Sequence, residues 1–333
     1  MLFNNELKKE LVINREDDKN NLGKYIIHRL IHLIPVLFGI TFLTFALTYL
    51  SPGDPAELML SATGITPSPE LVQQVREELG LNKPFLIQYL NWISSVFGGD
   101  FGVSYKYSKP VLELLLRALP ATFKLAGMTI LMTMIISIPL GILSAIHRNK
   151  LLDNIIRVIS FLGISLPAPW IAIILMYIFA LKLKLLPVMG NADWTSIILP
   201  SASMTILLAS RYIRQVRVYI LEEISQDYVI AAKARGVKDG AVLLKHVLRS
   251  TLVPIITQLG LSFGVLLGGA VIIETIFSWP GVGKLAIEAI FTRDYPLIQG
   301  YVVWMTIIYM LINMLVDISY YILDPRMRLE KGA

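Results

Sequence analysis

Four histidines, no cysteine and a few acids set in apolar surroundings are what this chain of 333 residues has for building chemistry. Without thiolates there is no disulfide framework, no sulfur-ligated metal and no cysteine nucleophile. His28 and His32 lie four apart on one helical face, a spacing that suits an interfacial pair or a ligand pair, with the interfacial reading preferred. His147 and His246 stand alone in polar segments. No Ser/His/Asp set can be brought together, and no Gly-x-x-x-x-Gly-Lys-[Ser/Thr] phosphate loop occurs, so the chain is not expected to be a catalyst. The remaining acids point to passage or gating. Glu274 stands just before Trp279-Pro280-Gly281-Val-Gly, where proline and glycine favour a tight turn and the indole suits a membrane interface; it is expected either to form an outer gate or to pair with Arg293 or a backbone donor. Asp294 is grouped with this path or gate. Asp317, deep in the last apolar run, either lines the path or hydrogen-bonds Asn313 one turn earlier or a neighbouring helix, the structural role being preferred.

A different constellation suits docking. In Asp227-Tyr228-Val-Ile-Ala231-Ala232-Lys233-Ala234-Arg235-Gly236, Ser225 or Asp227 can cap a short helix and Gly236 can stop it. Its three alanines leave the backbone closely approachable, and Lys233 and Arg235 supply pairing charges. Asp239 can cap a second helix, Ala241 to Leu248, leading to Pro254. Such a knob fits a cleft on another protein.

The elements that must hold these residues are set by composition. The chain is 55% hydrophobic and 16% charged, with a mean hydropathy of +0.64. Soluble domains average about 45–50% apolar with glycine counted, and about 25% charged, so an ordinary soluble enzyme is excluded. Six runs of about 20 residues qualify as membrane spans: Leu30–Leu50, Phe123–Ile146, Ile155–Ala180, Ile197–Val218, Pro254–Ile276 and Ile298–Ile322. The expected fold is therefore all-α, polytopic and six-spanning, with both termini on one side. Of the 30 basic residues, 20 fall on the side of the termini, while the 24 acids divide evenly, which places that side in the cytoplasm. Because the basic excess is spread over every cytoplasmic segment, nucleic-acid binding is not expected.

These boundaries divide the chain into a polar cytoplasmic tail (1–28), a first span (29–50), an extracytoplasmic helical segment (51–120), a core with five spans (121–323, with its loop at 219–250) and a C-terminal tail (324–333). The first tail has no apolar stretch ahead of a cleavage site and is not a cleavable signal peptide. Within 51–120, Ser68, Pro69 and Gly80 delimit one helix, and Phe85–Phe97 reads as a second, amphipathic one. Gly264, Gly268 and Gly269 offer a small-residue face for close helix packing, and Pro35, Pro139, Pro167 and Pro169 should kink their spans.

The docking stretch resembles the coupling loop of ATP-binding-cassette importer permeases. Asp227-Tyr-Val-Ile-Ala-Ala-Lys-Ala-Arg-Gly236 followed by His246-Val-Leu-Arg-Ser is similar to the nickel/dipeptide/oligopeptide branch, in which the glutamate of the general pattern is missing, as it is here. So are Pro52-Gly-Asp-Pro55, Gly99-Asp-Phe-Gly-Val-Ser104, Leu119-Pro-Ala-Thr122, Ile273-Glu-Thr-Ile-Phe-Ser-Trp-Pro-Gly-Val-Gly283, Arg293-Asp-Tyr-Pro296 and Asp324-Pro-Arg326, in order and spacing. Leu186-Pro-Val-Met-Gly190 and the stretch from Ala289 to Gln299 resemble the nickel branch most.

The resemblance implies a permease in the cytoplasmic membrane of a prokaryote. It would work with a second homologous permease, two ATPase subunits and an extracytoplasmic binding protein. ATP and magnesium would be used by the ATPase partners, and no cofactor is expected on this chain. The cargo implied is nickel or a nickel chelate, ahead of a di- or oligopeptide; an ion-coupled secondary transporter is the reading from another class.

Overall fold

The structure, a computed structural model, describes residues 31–62, 67–189 and 194–323. Both expected tails, His28 and Arg29 lie outside these residues. The chain runs through α1 (Ile31–Tyr49), α2 (Pro55–Ala62), α3 (Pro69–Glu78), α4 (Phe85–Phe97), α5 (Val111–Ile146) and α6 (Leu151–Ser165). It continues through α7 (Ala168–Leu175, extended by a π-helical stretch Met176–Lys182), α8 (Ile198–Ile224), α9 (Asp227–Ala234), α10 (Asp239–Val242, followed by a π-helical Leu243–Val247), α11 (Leu248–Ile276), α12 (Val282–Phe291) and α13 (Tyr295–Leu323). Extended pairing among the described residues is limited to one bridge, Val103 with Pro110.

Local chemistry accounts for several ends. The Ser68 hydroxyl accepts from Leu71 N at 3.3 Å, Pro69 opens α3, and Gly80 follows its end at φ +66°. The neighbouring α4 forms as expected, and its apolar face lies against α1. Tyr49 meets Phe85 edge-on at 5.1 Å, and tilted ring pairs join Phe45 to Trp92 at 5.5 Å and Phe38 to Phe97 at 6.2 Å, so α4 runs antiparallel to α1 along its C-terminal two thirds. Thr41 Oγ1 and the Tyr89 hydroxyl share a buried hydrogen bond of 3.0 Å within this contact. Leu86, Leu90 and Phe97 face outward and uncovered.

Helices α1, α5 and α13 and the run Asp239–Gly268 are each long and apolar enough to cross a bilayer. The expected third span is not one rod. Its two halves, α6 and α7, meet at 101°, because Pro167 forces Leu166 into an extended conformation (ψ 133°) and ends the helix. Helix α8, in place of the expected fourth span, runs to Ile224, so the first residues of the expected loop (219–224) are helical, and Arg211, Arg214 and Arg217 lie within the expected span itself. With these charges it falls outside the helices apolar enough to span.

Helices α5 and α8 form the centre, with α6, α7 and α11 around them. The small-residue face of α11 is shifted by one turn from expectation: a Cβ on Gly260 would lie 2.7 Å from Val316, and one on Gly264 3.2 Å from Tyr309, so these two glycines let α13 close in, whereas Gly268 meets nothing within 4 Å. At the α9 end, Asp153 is fully buried and takes both Arg217 Nε and Nη2 at 2.8 Å, the Ser144 hydroxyl at 2.6 Å and Asn149 N at 2.9 Å. One carboxylate thus joins the ends of α5, α6 and α8.

Candidate functional site

Two regions carry the candidate residues, one at each end of the bundle. At the first, α9 rests on α8 and α11 through Val229 and Ala232, which are buried among Tyr212, Val216, Ile220, Ile255 and Leu259. Its opposite face, Asp227, Ile230, Ala231 and Ala234, follows the i, i+3, i+4, i+7 rule and is exposed. Ala232 belongs to the inward face, so it anchors the knob, and Ala231 and Ala234 form its smooth outer surface. Neither expected cap is used: Gln226 stands at the N-cap without a side-chain bond, and Ser225 bonds back to Glu222 O. Asp239 opens α10 and pairs with Lys233 at 2.9 Å, an exposed ion pair that adds little stability. The Tyr228 hydroxyl donates to Glu223 Oε1 at 2.6 Å, while Arg235 caps the helix end and is exposed.

Gly236 stops α9 by geometry. Its N–H reaches Lys233 O at 2.9 Å, the N–H of Val237 reaches Ala232 O at 3.2 Å, and Gly236 itself sits at φ +79°. These crossed bonds are the glycine-terminated helix end, which needs a left-handed residue at this position.

At the other end, Glu274 near the close of α11 is fully buried. Its carboxylate accepts from the Thr122 hydroxyl of α5 at 2.6 Å and from Gly283 N and Lys284 N, at 2.8 and 3.0 Å, in the first turn of α12. An acid at free helical N–H groups is favourably placed. Thr122 Oγ1 also accepts from Val282 N at 2.9 Å, which closes the network. Gly281 is required here because a Cβ on it would lie 2.2 Å from Glu274 Oε1. The backbone donors are one of the alternatives open at the sequence level; Arg293 instead donates to Pro52 O at 3.0 Å. Trp279 is no interfacial anchor: it is wholly buried, its Nε1 donating to Ala121 O at 2.9 Å, while Pro280 is exposed beside it.

Asp294 is likewise buried, and it accepts from the Ser104 hydroxyl, Lys106 N (3.2 Å) and Leu297 N (3.3 Å). It joins the loop before α5 to the start of α13. Asp317 lies half-buried toward the far end of α13, so it is not brought together with Glu274 and Asp294. Sequence reasoning gave no role to Thr122, Ser104 or the Asp153–Arg217 pair. The signal available was an acid alone in a basic segment at Asp153, and hydroxyls in otherwise apolar helices.

Above Asp294, Lys106 Nζ donates to Glu288 Oε2 at 2.8 Å, and the Tyr107 hydroxyl donates to the same carboxylate. The Glu288 hydrogen bond pushes the Lys106 ammonium up. Partial burial alone raises the Glu288 carboxyl, but the hydrogen bonds from Lys106 and Tyr107 and the charges of Lys106 and Lys284 outweigh it and hold Glu288 below its ordinary value. A depressed acid contributes stability above its unfolded value and loses it as pH falls through the folded one; the raised lysine contributes below its unfolded value and loses it as pH rises through the folded one. The clasp therefore holds across neutral pH. Hydrogen exchange of backbone amides 104–109, corrected for intrinsic rates, should accelerate as pH falls through the acid range, and Glu288→Gln should remove that step.

Helices long and apolar enough to cross a bilayer, with an outward-facing knob at one end and a pinned cap at the other, are those of a multi-helix membrane protein. The fold is similar to that of a chain of the MetNI methionine ABC transporter in an inward-facing conformation, with a TM-score of 0.52 and 16% identity over 64% of this chain and 97% of that one. Residues 137–329 match the family described as binding-protein-dependent transport system inner membrane component, and residues 22–126 match its N-terminal domain. The chain belongs to this family of ABC importer permeases. It is 40% identical to the metal-staphylopine import system permease protein CntB of Staphylococcus aureus, over 92% of this chain and 98% of the relative. It is 38% identical to the probable peptide ABC transporter permease protein y4tP of Sinorhizobium fredii (92% and 100% covered), and 38% to the glutathione transport system permease protein GsiC of Pectobacterium atrosepticum (91% and 98%).

Proposed function

We propose that the chain imports nickel as a chelate, as one of two permeases driven by two ATPase subunits and supplied by an extracytoplasmic binding protein. The observation that carries the cargo is the 40% identity, over nearly the whole of both chains, to a permease named for metal-staphylopine import. A chain without cysteine offers no soft cage to a bare ion, which favours a metal that arrives already wrapped in a ligand. Taking α8 as a span through its apolar half, with Arg211, Arg214 and Arg217 at the cytoplasmic end, gives six spans with α1, α5, α6 with α7, α11 and α13 and brings both termini and α9 to the cytoplasmic side; the distribution of basic residues supports that orientation. The outward face of α9 then meets the ATPase, whose ATP and magnesium stay on the partner, and this chain carries no cofactor. Glu274, Trp279 and Gly281 pin the extracytoplasmic gate, and Asp294 fixes the segment beside it. Family membership sets aside the ion-coupled reading.

The second reading, a di- or oligopeptide cargo, is favoured by the 38% identity to the probable peptide permease over 92% of this chain. The complex, purified with its native partners and reconstituted, separates the two. ATP hydrolysis should rise with a nickel chelate and stay at its basal rate with nickel ion or dipeptides. Stimulation by peptides alone would transfer the assignment to the second reading.

A further inference from the structure

Between α6 and α8, at the end of the bundle that carries α9, lies a groove of about 1100 Å3 that neither the knob nor the cap uses. Its polar side holds Arg157, Arg211 and Arg214. Arg211 and Arg214 are one turn apart on α8, both are exposed, and neither has a carboxylate at ion-pair distance among the described residues. Arg157 donates to Asn154 at 2.7 Å and stands 3.9 Å from Asp153, whose oxygens are already taken by Arg217 at 2.8 Å. The buried acid therefore neutralises Arg217, and the charge of the other three stays largely uncompensated.

The second wall is apolar. Val158, Phe161 and Leu162 on α6 are 59%, 64% and 57% exposed, and they lead from the arginines toward the Pro167 bend. Arg211 marks the point on α8 where the apolar half of the helix gives way to its charged half. A cationic mouth that opens at the polar edge of a spanning helix, continued by an uncovered apolar track, complements a molecule with an anionic head and a hydrocarbon tail. A soluble anion would leave the track empty, and an apolar protein surface would leave three charges without partners.

We infer that this groove binds an acidic phospholipid from the leaflet on the α9 side, its phosphate on Arg157, Arg211 and Arg214 and an acyl chain along Val158, Phe161 and Leu162. Basic pockets between spanning helices on the cytoplasmic side are suited to such head groups. The site rests on the membrane location that the family defines and on the orientation proposed above, but not on the cargo. A lipid held here also touches the two helices that Asp153 and Arg217 join, close to the coupling knob.

The test uses the complete transporter in nanodiscs of phosphatidylcholine, with and without phosphatidylglycerol. Native mass spectrometry after detergent extraction should find phosphatidylglycerol retained on the wild type. Each Arg→Gln change should weaken retention by about fivefold, and the triple change Arg157→Gln, Arg211→Gln and Arg214→Gln by on the order of a hundredfold. Phe161→Ala, which keeps every charge, should also weaken it and serves if the triple variant does not assemble. Inorganic phosphate should not displace the lipid at millimolar levels; displacement would show that the groove takes a free anion and overturn the proposal. Unchanged retention in the Arg variants would overturn it too, as would loss of the second permease with lipid retention intact, which would make this face a subunit contact.

Discussion

Gly236→Pro abolishes uptake driven by ATP while the binding protein keeps its affinity for cargo. Proline cannot adopt φ +79° and has no N–H for Lys233 O, so both features that end α9 are lost together, at a local cost of about 3 kcal/mol. The chain then loses the direction in which it leaves α9 toward α10. Uptake into vesicles containing the complete transporter should fall to background, with the chain still present in the membrane and the isolated binding protein unaffected. The two faces of α9 allow a sharper comparison. Ala231→Arg puts a large charge on the exposed face and should uncouple ATP hydrolysis from uptake in an assembled complex. Ala232→Arg forces the charge among Tyr212, Val216 and Ile255 and should reduce the amount of folded chain before coupling can be measured. Normal uptake in Gly236→Pro and Ala231→Arg would remove α9 as the docking element.

Glu274→Ala is the second large effect. It removes the acceptor of three donors in a dry site, Thr122 Oγ1, Gly283 N and Lys284 N. Each donor left without a partner costs about 1–3 kcal/mol, so the start of α12 should detach locally and uptake should fail. Glu274→Gln is milder: the amide oxygen can take the two backbone N–H groups and its NH2 can donate to Thr122, provided the threonine proton turns away. Exchange at the amides of Trp279 and of 281–284 measures the detachment, and it should be fast in the alanine variant and close to wild type in the glutamine variant. If Glu274 instead contacts cargo directly, glutamine will raise KM for uptake without changing that exchange. Gly281→Ala should resemble Glu274→Ala, because its new methyl occupies the carboxylate's place.

What could be read from the sequence was what is decided within one helical turn. Ser68, Pro69 and Gly80 delimit α3, Gly236 ends α9, and the apolar lengths give most of the spanning helices, because capping, backbone restriction and hydrophobic length are properties of short windows. The partners that fix the ends of the bundle were hidden: Glu274 meets Thr122 across 152 residues, and Asp153 meets Arg217 across 64. No local pattern distinguishes such a threonine from one bonded back to its own helix, as Thr129 is to Leu125 O. The burial of Trp279 was missed for the same reason, since its indole could suit an interface or, as here, a carbonyl brought in from α5. The shift of the small-residue face from Gly264/Gly268 to Gly260/Gly264 depended on where Val316 and Tyr309 of α13 fall, which the sequence of α11 does not contain.

Helix α4 changes the molecule's outline. Thirteen residues make a rod of about 20 Å, and this one is laid along α1 from Tyr49 back to Phe38. The C-terminal two thirds of α1 are thereby covered on one side by aromatic rings, with Thr41 and Phe45 buried beneath them. On its inner side α4 presses Trp92 and Val96 against the cluster formed by Phe101, Leu297 and Val303, next to the segment pinned by Asp294. Through Trp92 and Val96, a displacement of α4 on α1 thus bears directly on the segment that Asp294 pins.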